Sequence, residues 1–192
     1  MSIFKNETDP VSEYQSELFA ADVSDQGFVS AHTRVLSANG EAYAAWDALT
    51  AAIASSMGAR RYELATLAAA LGARSAHCRL AHGRKSLDLF GRDRLLAIAR
   101  DYRNSGLSPA EVAMMEFAEK VSTAAASMTE ADSARLREAG FDDGEIVDIA
   151  LAAAARNFYS RALHALGVEV DVPPRLSPEL KDALLEGMSP GQ

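Results

Sequence analysis

The chain has 192 residues, 48% of them hydrophobic, a formal net charge of −8 at pH 7 and one cysteine. That length supports a single domain with a buried core, no uncharged apolar run reaches membrane-spanning length, and the negative charge argues against nucleic acid or an anionic membrane as partner. A lone cysteine offers no intrachain disulfide framework, and Met1 to Glu7 lacks the apolar stretch of a secretory leader, so the expected location is cytoplasmic.

No proline lies between Pro10 and Pro109, and the alternation of half-buried strands is absent there, so this stretch reads as consecutive helices and the fold as all-α. Ser12 to Asp22 reads as a first helix and Val29 to Ala38 as a second, ended by Asn39 and Gly40. Glu41 to Met57 follows with Tyr43, Trp46 and Leu49 at helical spacing, then Arg60 to Leu71 and Ser75 to Phe90. Arg92 to Asn104 continues the pattern. Ser108-Pro109-Ala110-Glu111 is a strong start signal for a helix to about Ala125, with serine as N-cap, proline at N1 and glutamate at N3.

Thr129 and Asp142 open two further capped starts, a short helix and the alanine-rich Ile146 to Leu166. Val168 to Pro174 reads as an extended linker, and Ser177-Pro178-Glu179 starts a last short helix expected to dock on a neighbouring subunit, with loose residues after it. The expectation is one domain over residues 1–192, a bundle of roughly eight to ten helices, with a core at 42–120 and a linker and short helix at 168–192. Two similar helical hairpins, Glu41 to Phe90 and Ser108 to Leu166, hint at duplication, without a residue-level repeat.

The chemistry gathers between Glu63 and His82. Cys78 and His82 are four apart and share a helical face, with Ser75 three residues earlier on the same face. Ser75 as N-cap puts Cys78 at the third helical position, where free backbone N–H groups and the helix dipole favour a thiolate. Glu63 borders the apolar stripe Leu64, Leu67, Ala68 and Leu71, so it needs a partner or a raised pKa, and His82 is the obvious partner. His77 lies about 100° around the helix, at the mouth of such a site or facing solvent. Each residue also has a plainer reading, as core cysteine, satisfied histidine or capping carboxylate. His164 reads best as a histidine favoured by a helix C-terminus.

Other chemistries fit poorly. Paired Glu-x-x-His motifs for di-iron are missing, as are phosphate loops and haem attachment. A zinc site from His77, Cys78 and His82 would have adjacent ligands and no evident fourth, so neither metal nor cofactor is expected.

The order Glu63, eleven residues, Ser75, two, Cys78, three, His82 resembles the signature of the alkylhydroperoxidase D branch of the carboxymuconolactone decarboxylase superfamily, glutamate then Cys-x-x-Cys then histidine. Ser75 stands where that family has its first cysteine. Cys78 matches the second, which in the family attacks peroxide and becomes sulfenic acid, and His77 matches a histidine often found just before it. More loosely the resemblance runs from about Ala42 to about Lys120 and again through Ile146 to Gly167, which holds Arg156-Asn157-Phe158-Tyr159-Ser160-Arg161. It resembles in particular the peroxidase-related subgroup, some of which share the serine-for-cysteine change.

The resemblance implies an alkylhydroperoxidase D-like helical fold and a homo-oligomer, dimer or higher. It implies a peroxidase in which Cys78 attacks a small hydroperoxide, His82 takes the thiol proton, Glu63 orients His82, and Ser75 or His77 steadies the leaving oxygen. With one cysteine, no intramolecular disulfide can resolve the sulfenic acid, so turnover needs an external thiol or a disulfide between subunits. Two alternatives stand beside it. One is a cofactor-free lyase using Glu63 and His82 as acid and base, with Arg60, Arg74 or Arg156 holding a substrate carboxylate. The other is a non-catalytic helical oligomer or redox sensor.

Overall fold

The structure, a computed structural model, describes residues 12–188. The leader reading of Met1 to Glu7 and the expected looseness of the last four residues lie outside them. Among the described residues there are ten α-helices, two short 3-10 turns and no strand. None of these helices is long and apolar enough to cross a membrane.

The helices are α1 Glu13–Gln26, α2 Ala31–Leu36, α3 Gly40–Met57, α4 Ala59–Gly72, α5 Ala76–Phe90, α6 Arg92–Asp101, α7 Pro109–Ala124, α8 Glu130–Glu138, α9 Asp143–Ala165 and α10 Pro178–Leu185. The caps explain most boundaries. Ser12, Ser75, Ser108, Asp142 and Ser177 each accept a backbone N–H of their helix's first turn, and Ser108 with Glu111 and Asp142 with Glu145 close reciprocal capping boxes.

Two expectations need correction. Asn39 and Gly40 do not end α2, which stops at Leu36. Asn39 instead caps α3 by accepting from Ala42 N, a use of asparagine that competes with its use as a terminator. The last helix, expected on a neighbouring subunit, packs on its own chain: Leu180, Ala183 and Leu184 join Leu67, Leu80, Leu95 and Ala99 in one apolar cluster.

Helix α4 is the hub, packed on α3, α5, α7 and α9. All nine residues from Tyr62 to Ala70 are buried, which is possible because alanines and leucines cover every face. Gly72 lets α4 approach α7 closely, since a Cβ there would lie 2.8 Å from Glu119 O and from Ser122 Cβ. The chain then turns through Arg74, at φ 54°, into α5. That short turn lays α5 beside α4 and brings Cys78 and His82 to the same buried layer as Glu63.

Arg79 fixes α10 from beneath. Its fully enclosed guanidinium donates to Leu184 O at 3.1 Å, Ala99 O at 3.0 Å and Leu67 O at 3.4 Å, tying α10, α6 and α4 to α5. Burial without a carboxylate contact lowers its pKa to about 10. On the outer side of α9, Val147, Leu151 and Phe158 are exposed.

Candidate active site

Glu63 on α4 and His82 on α5 are both buried, and His82 Nδ1 lies 2.7 Å from Glu63 Oε2. Thr66 Oγ1 lies 3.3 Å from the same nitrogen, while its own proton goes to Tyr62 O at 2.8 Å. Both neighbours of Nδ1 are therefore acceptors, so Nδ1 carries the proton and Nε2 is left as the basic nitrogen. Burial, then the Arg156 charge, hold the His82 pKa down at about 4, against the pull of Glu63. Burial works to raise the Glu63 carboxyl, but His82, Lys85 and Arg156 outweigh it and hold it below its ordinary value. The pair at neutral pH is a carboxylate and a neutral imidazole.

Cys78 occupies the third position of α5, where its N–H points at Ser75 Oγ at 3.4 Å. Ser75 is fully buried and its hydroxyl serves this cap. Among the described residues, the hydrogen-bond partners of Cys78 Sγ are Ser160 Oγ at 3.3 Å and Arg156 Nη1 at 3.7 Å, both from α9, and His82 is not one of them. His82 sits one helical turn further along α5. His77 lies 2.9 Å from Val168 O through Nε2, which makes that nitrogen the donor, and burial lowers its pKa.

A cavity of about 680 Å³ joins these groups, with Glu63, His77, Cys78, His82 and Arg156 all on its wall. Its aromatic side is Trp46 stacked on Tyr159, with ring centroids 4.2 Å apart, and Arg156 lies against both rings at 5.7 and 5.8 Å. His32, from α2, completes this side, its pKa lowered to about 4 chiefly by burial. Burial also works against the charge on Arg156, but the Cys78 sulfur and Tyr62 outweigh it and hold its pKa above the usual value. Of the three arginines singled out for anion binding, Arg156 reaches the cavity, whereas Arg60 pairs with Glu111 at 2.7 Å and Arg74 donates to Gly187 O at 3.1 Å.

The sequence alone points to Glu63, His77, Cys78, His82 and Arg156, all on this wall, with Arg156 given a role only toward substrate; it does not single out His32, also on the wall, or Ser160 and Thr66, which lie against Cys78 Sγ and His82 Nδ1. One signal was available: Arg156 and Ser160 are four apart on an alanine-rich helix, hence on one face. Among the described residues no group of three or more His, Cys, Asp or Glu is placed to hold a metal ion.

The geometry offers a thiol between a hydroxyl and a guanidinium, a carboxylate-oriented imidazole one turn away, and space for a small molecule. No protein-family model and no curated protein matches the sequence. Solved structures do. An uncharacterized peroxidase-related protein from Silicibacter sp. TM1040 superposes with a TM-score of 0.73 at 26% identity, covering 85% of this chain and 88% of its own. A second, described as an alkylhydroperoxidase AhpD core and uncharacterized peroxidase-related protein from Ralstonia eutropha JMP134, gives a TM-score of 0.68 at 24% identity, covering 92% and 95%. Among the described residues the all-α fold is thus of the alkylhydroperoxidase D-like type, and the chain resembles peroxidase-related proteins of that fold.

Proposed function

We propose that the protein is a one-cysteine peroxidase that reduces hydrogen peroxide or alkyl hydroperoxides through a sulfenic acid at Cys78. The observation that supports it best is the sulfur's setting: Cys78 Sγ lies against a buried guanidinium and a hydroxyl, at a helix N-terminus, on the wall of a cavity shared with a neutral, carboxylate-held imidazole. Each of the first three favours negative charge on sulfur.

In this reading, His82 Nε2 takes the thiol proton through the hydroperoxide or a water in the cavity, and Glu63 stabilises the resulting imidazolium. The thiolate attacks the terminal peroxide oxygen, a sulfur–oxygen bond forms and the oxygen–oxygen bond breaks. The departing alkoxide takes the proton from His82 and leaves as alcohol, or as water from hydrogen peroxide. Arg156 offsets the charge while it resides on sulfur and then on the sulfenate, and Ser160 fixes the sulfur's position. Ser75 shapes the helix end, and His77 borders the cavity.

Peroxide consumption in the presence of excess thiol tests this. The wild type should consume hydroperoxide catalytically and Cys78→Ser should not. Equal consumption by both would overturn the reading.

One observation favours a second reading. Arg156 is an arginine in the cavity, as a lyase acting on a carboxylated substrate through Glu63 and His82 requires. Under that reading Cys78→Ser would keep most of its activity. Assembly into a homo-oligomer is the expectation from the resemblance, and sedimentation of the intact protein tests it.

A further inference from the structure

We propose that oxidised Cys78 is reduced by a low-molecular-weight thiol that enters the cavity. This rests on the peroxidase reading above and names its second substrate. The chain has a single cysteine, so the resolving sulfur comes from outside. Cys78 is only 2% exposed, at the wall of a cavity of about 680 Å³. A disulfide needs its two sulfurs about 2 Å apart with a defined torsion, so a partner's cysteine, on another protein or on a second copy of this chain, would have to thread its backbone into that space. Two Cys78 side chains, each buried in its own chain, do not meet without opening α5. A cavity of this volume falls in the range that holds small ligands.

The wall also carries polar groups that the protein itself leaves unmatched. Arg156 is 4% exposed and, among the described residues, its Nε has no hydrogen-bond partner. No ion pair to a carboxylate holds this guanidinium among the described residues, so its charge is available to an incoming thiolate. Trp46 Nε1, on the same wall, is likewise without a hydrogen-bond partner among the described residues.

The chemistry closes with two equivalents of thiol. The first, as thiolate, attacks the Cys78 sulfur of the sulfenic acid. A sulfur–sulfur bond forms, the sulfur–oxygen bond breaks, and hydroxide leaves and is protonated to water. The second thiolate attacks the outer sulfur of this mixed disulfide, releasing a small disulfide and Cys78 thiolate. Two thiols are oxidised, and Cys78 returns to its starting level.

The test oxidises the full-length protein with one equivalent of hydroperoxide and divides it. One portion receives a sulfenic-acid trap and the others receive 2-mercaptoethanol, a tripeptide thiol or a reduced Cys-x-x-Cys protein at equal thiol concentration, all followed by intact mass. The expected result is trapped sulfenic acid, small-thiol adducts at Cys78, and reaction at least about tenfold slower with the protein dithiol. Ala81→Phe, at the cavity wall, should slow the tripeptide thiol more than 2-mercaptoethanol. Trapping with faster reduction by the protein dithiol, or with a disulfide between two copies, would overturn the small-thiol inference alone. No trapping would overturn the peroxidase reading and this inference with it.

Discussion

Glu63 Oε2 accepts the Nδ1 proton of His82 across 2.7 Å, joining two buried helices through a carboxylate and an imidazole. In the proposed mechanism the charge matters as well as the contact, because it would stabilise the imidazolium formed when His82 takes a proton. Glu63→Gln keeps an oxygen that can accept from Nδ1 and removes the charge. Its rate constant for reaction with hydroperoxide should fall by about 10²-fold. The single tryptophan, Trp46, lies on the cavity wall, so stopped-flow fluorescence is a convenient readout. An unchanged rate would remove Glu63 from the proton path.

Arg156 and Ser160 hold the sulfur from α9. Arg156→Met should slow sulfenic-acid formation by about 10²-fold, with Arg156→Lys recovering part of it, because a lysine returns the charge without the planar fork. Ser160→Ala should cost about tenfold or less, since one weak contact to sulfur is lost. Trapping rates for the three variants, beside their urea midpoints, separate a role at the sulfur from simple loss of folding.

How much of this was legible in sequence depended on distance along the chain. Ser75 as cap to Cys78, and Glu63 beside His82, follow from helical spacing and one short turn, so local rules sufficed. Arg156 and Ser160 lie about eighty residues beyond Cys78, and their place at the sulfur depends on how α9 packs against α4 and α5, which periodicity does not encode. His32 and Thr66 were missed for related reasons: α2 is short and weakly patterned, and a threonine inside an alanine-rich helix reads as filler. The helix boundaries failed where one residue has two uses. Asn39 can end a helix or begin one, and only the packing of α3 decides.

Acid should destabilise the protein through His82, which is buried, and His32, which is half-buried at the cavity wall. Burial, partly opposed by Asp22, lowers His32 to about 4, and His82 is lowered in the same direction. Unfolded histidines take up protons from about pH 6.5 downward and the folded ones only near pH 4, so between those values the unfolded state binds more protons. Stability is therefore full above about pH 6.5 and falls as pH drops toward 4. The loss from His32 is at most about 3 kcal/mol. Urea midpoints at pH 7.5, 6 and 5 should decline in that order, less steeply for His32→Gln. A flat profile would contradict the neutral assignment of these histidines.

Two substitutions probe the scaffold. Gly72→Ala would press a methyl against the α7 backbone, at 2.8 Å from Glu119 O, and should cost roughly 2 kcal/mol or more because backbone yields little. Arg79→Met leaves Leu184 O without its donor and should cost about 2 kcal/mol. It should also speed tryptic cleavage at Lys181, in the freed α10, which Gly72→Ala should not do selectively. Equal cleavage in both variants would mean that Arg79 does not hold α10 in particular.

The central claim is that Cys78 is a peroxide-reactive thiol, and its most direct test is the intact mass of reduced protein after brief exposure to an alkyl hydroperoxide with a sulfenic-acid trap. Rapid labelling of one site per chain at low peroxide, mapped to Cys78 and lost in Cys78→Ser, is the predicted result. An unlabelled protein whose thiol still titrates in full would contradict it.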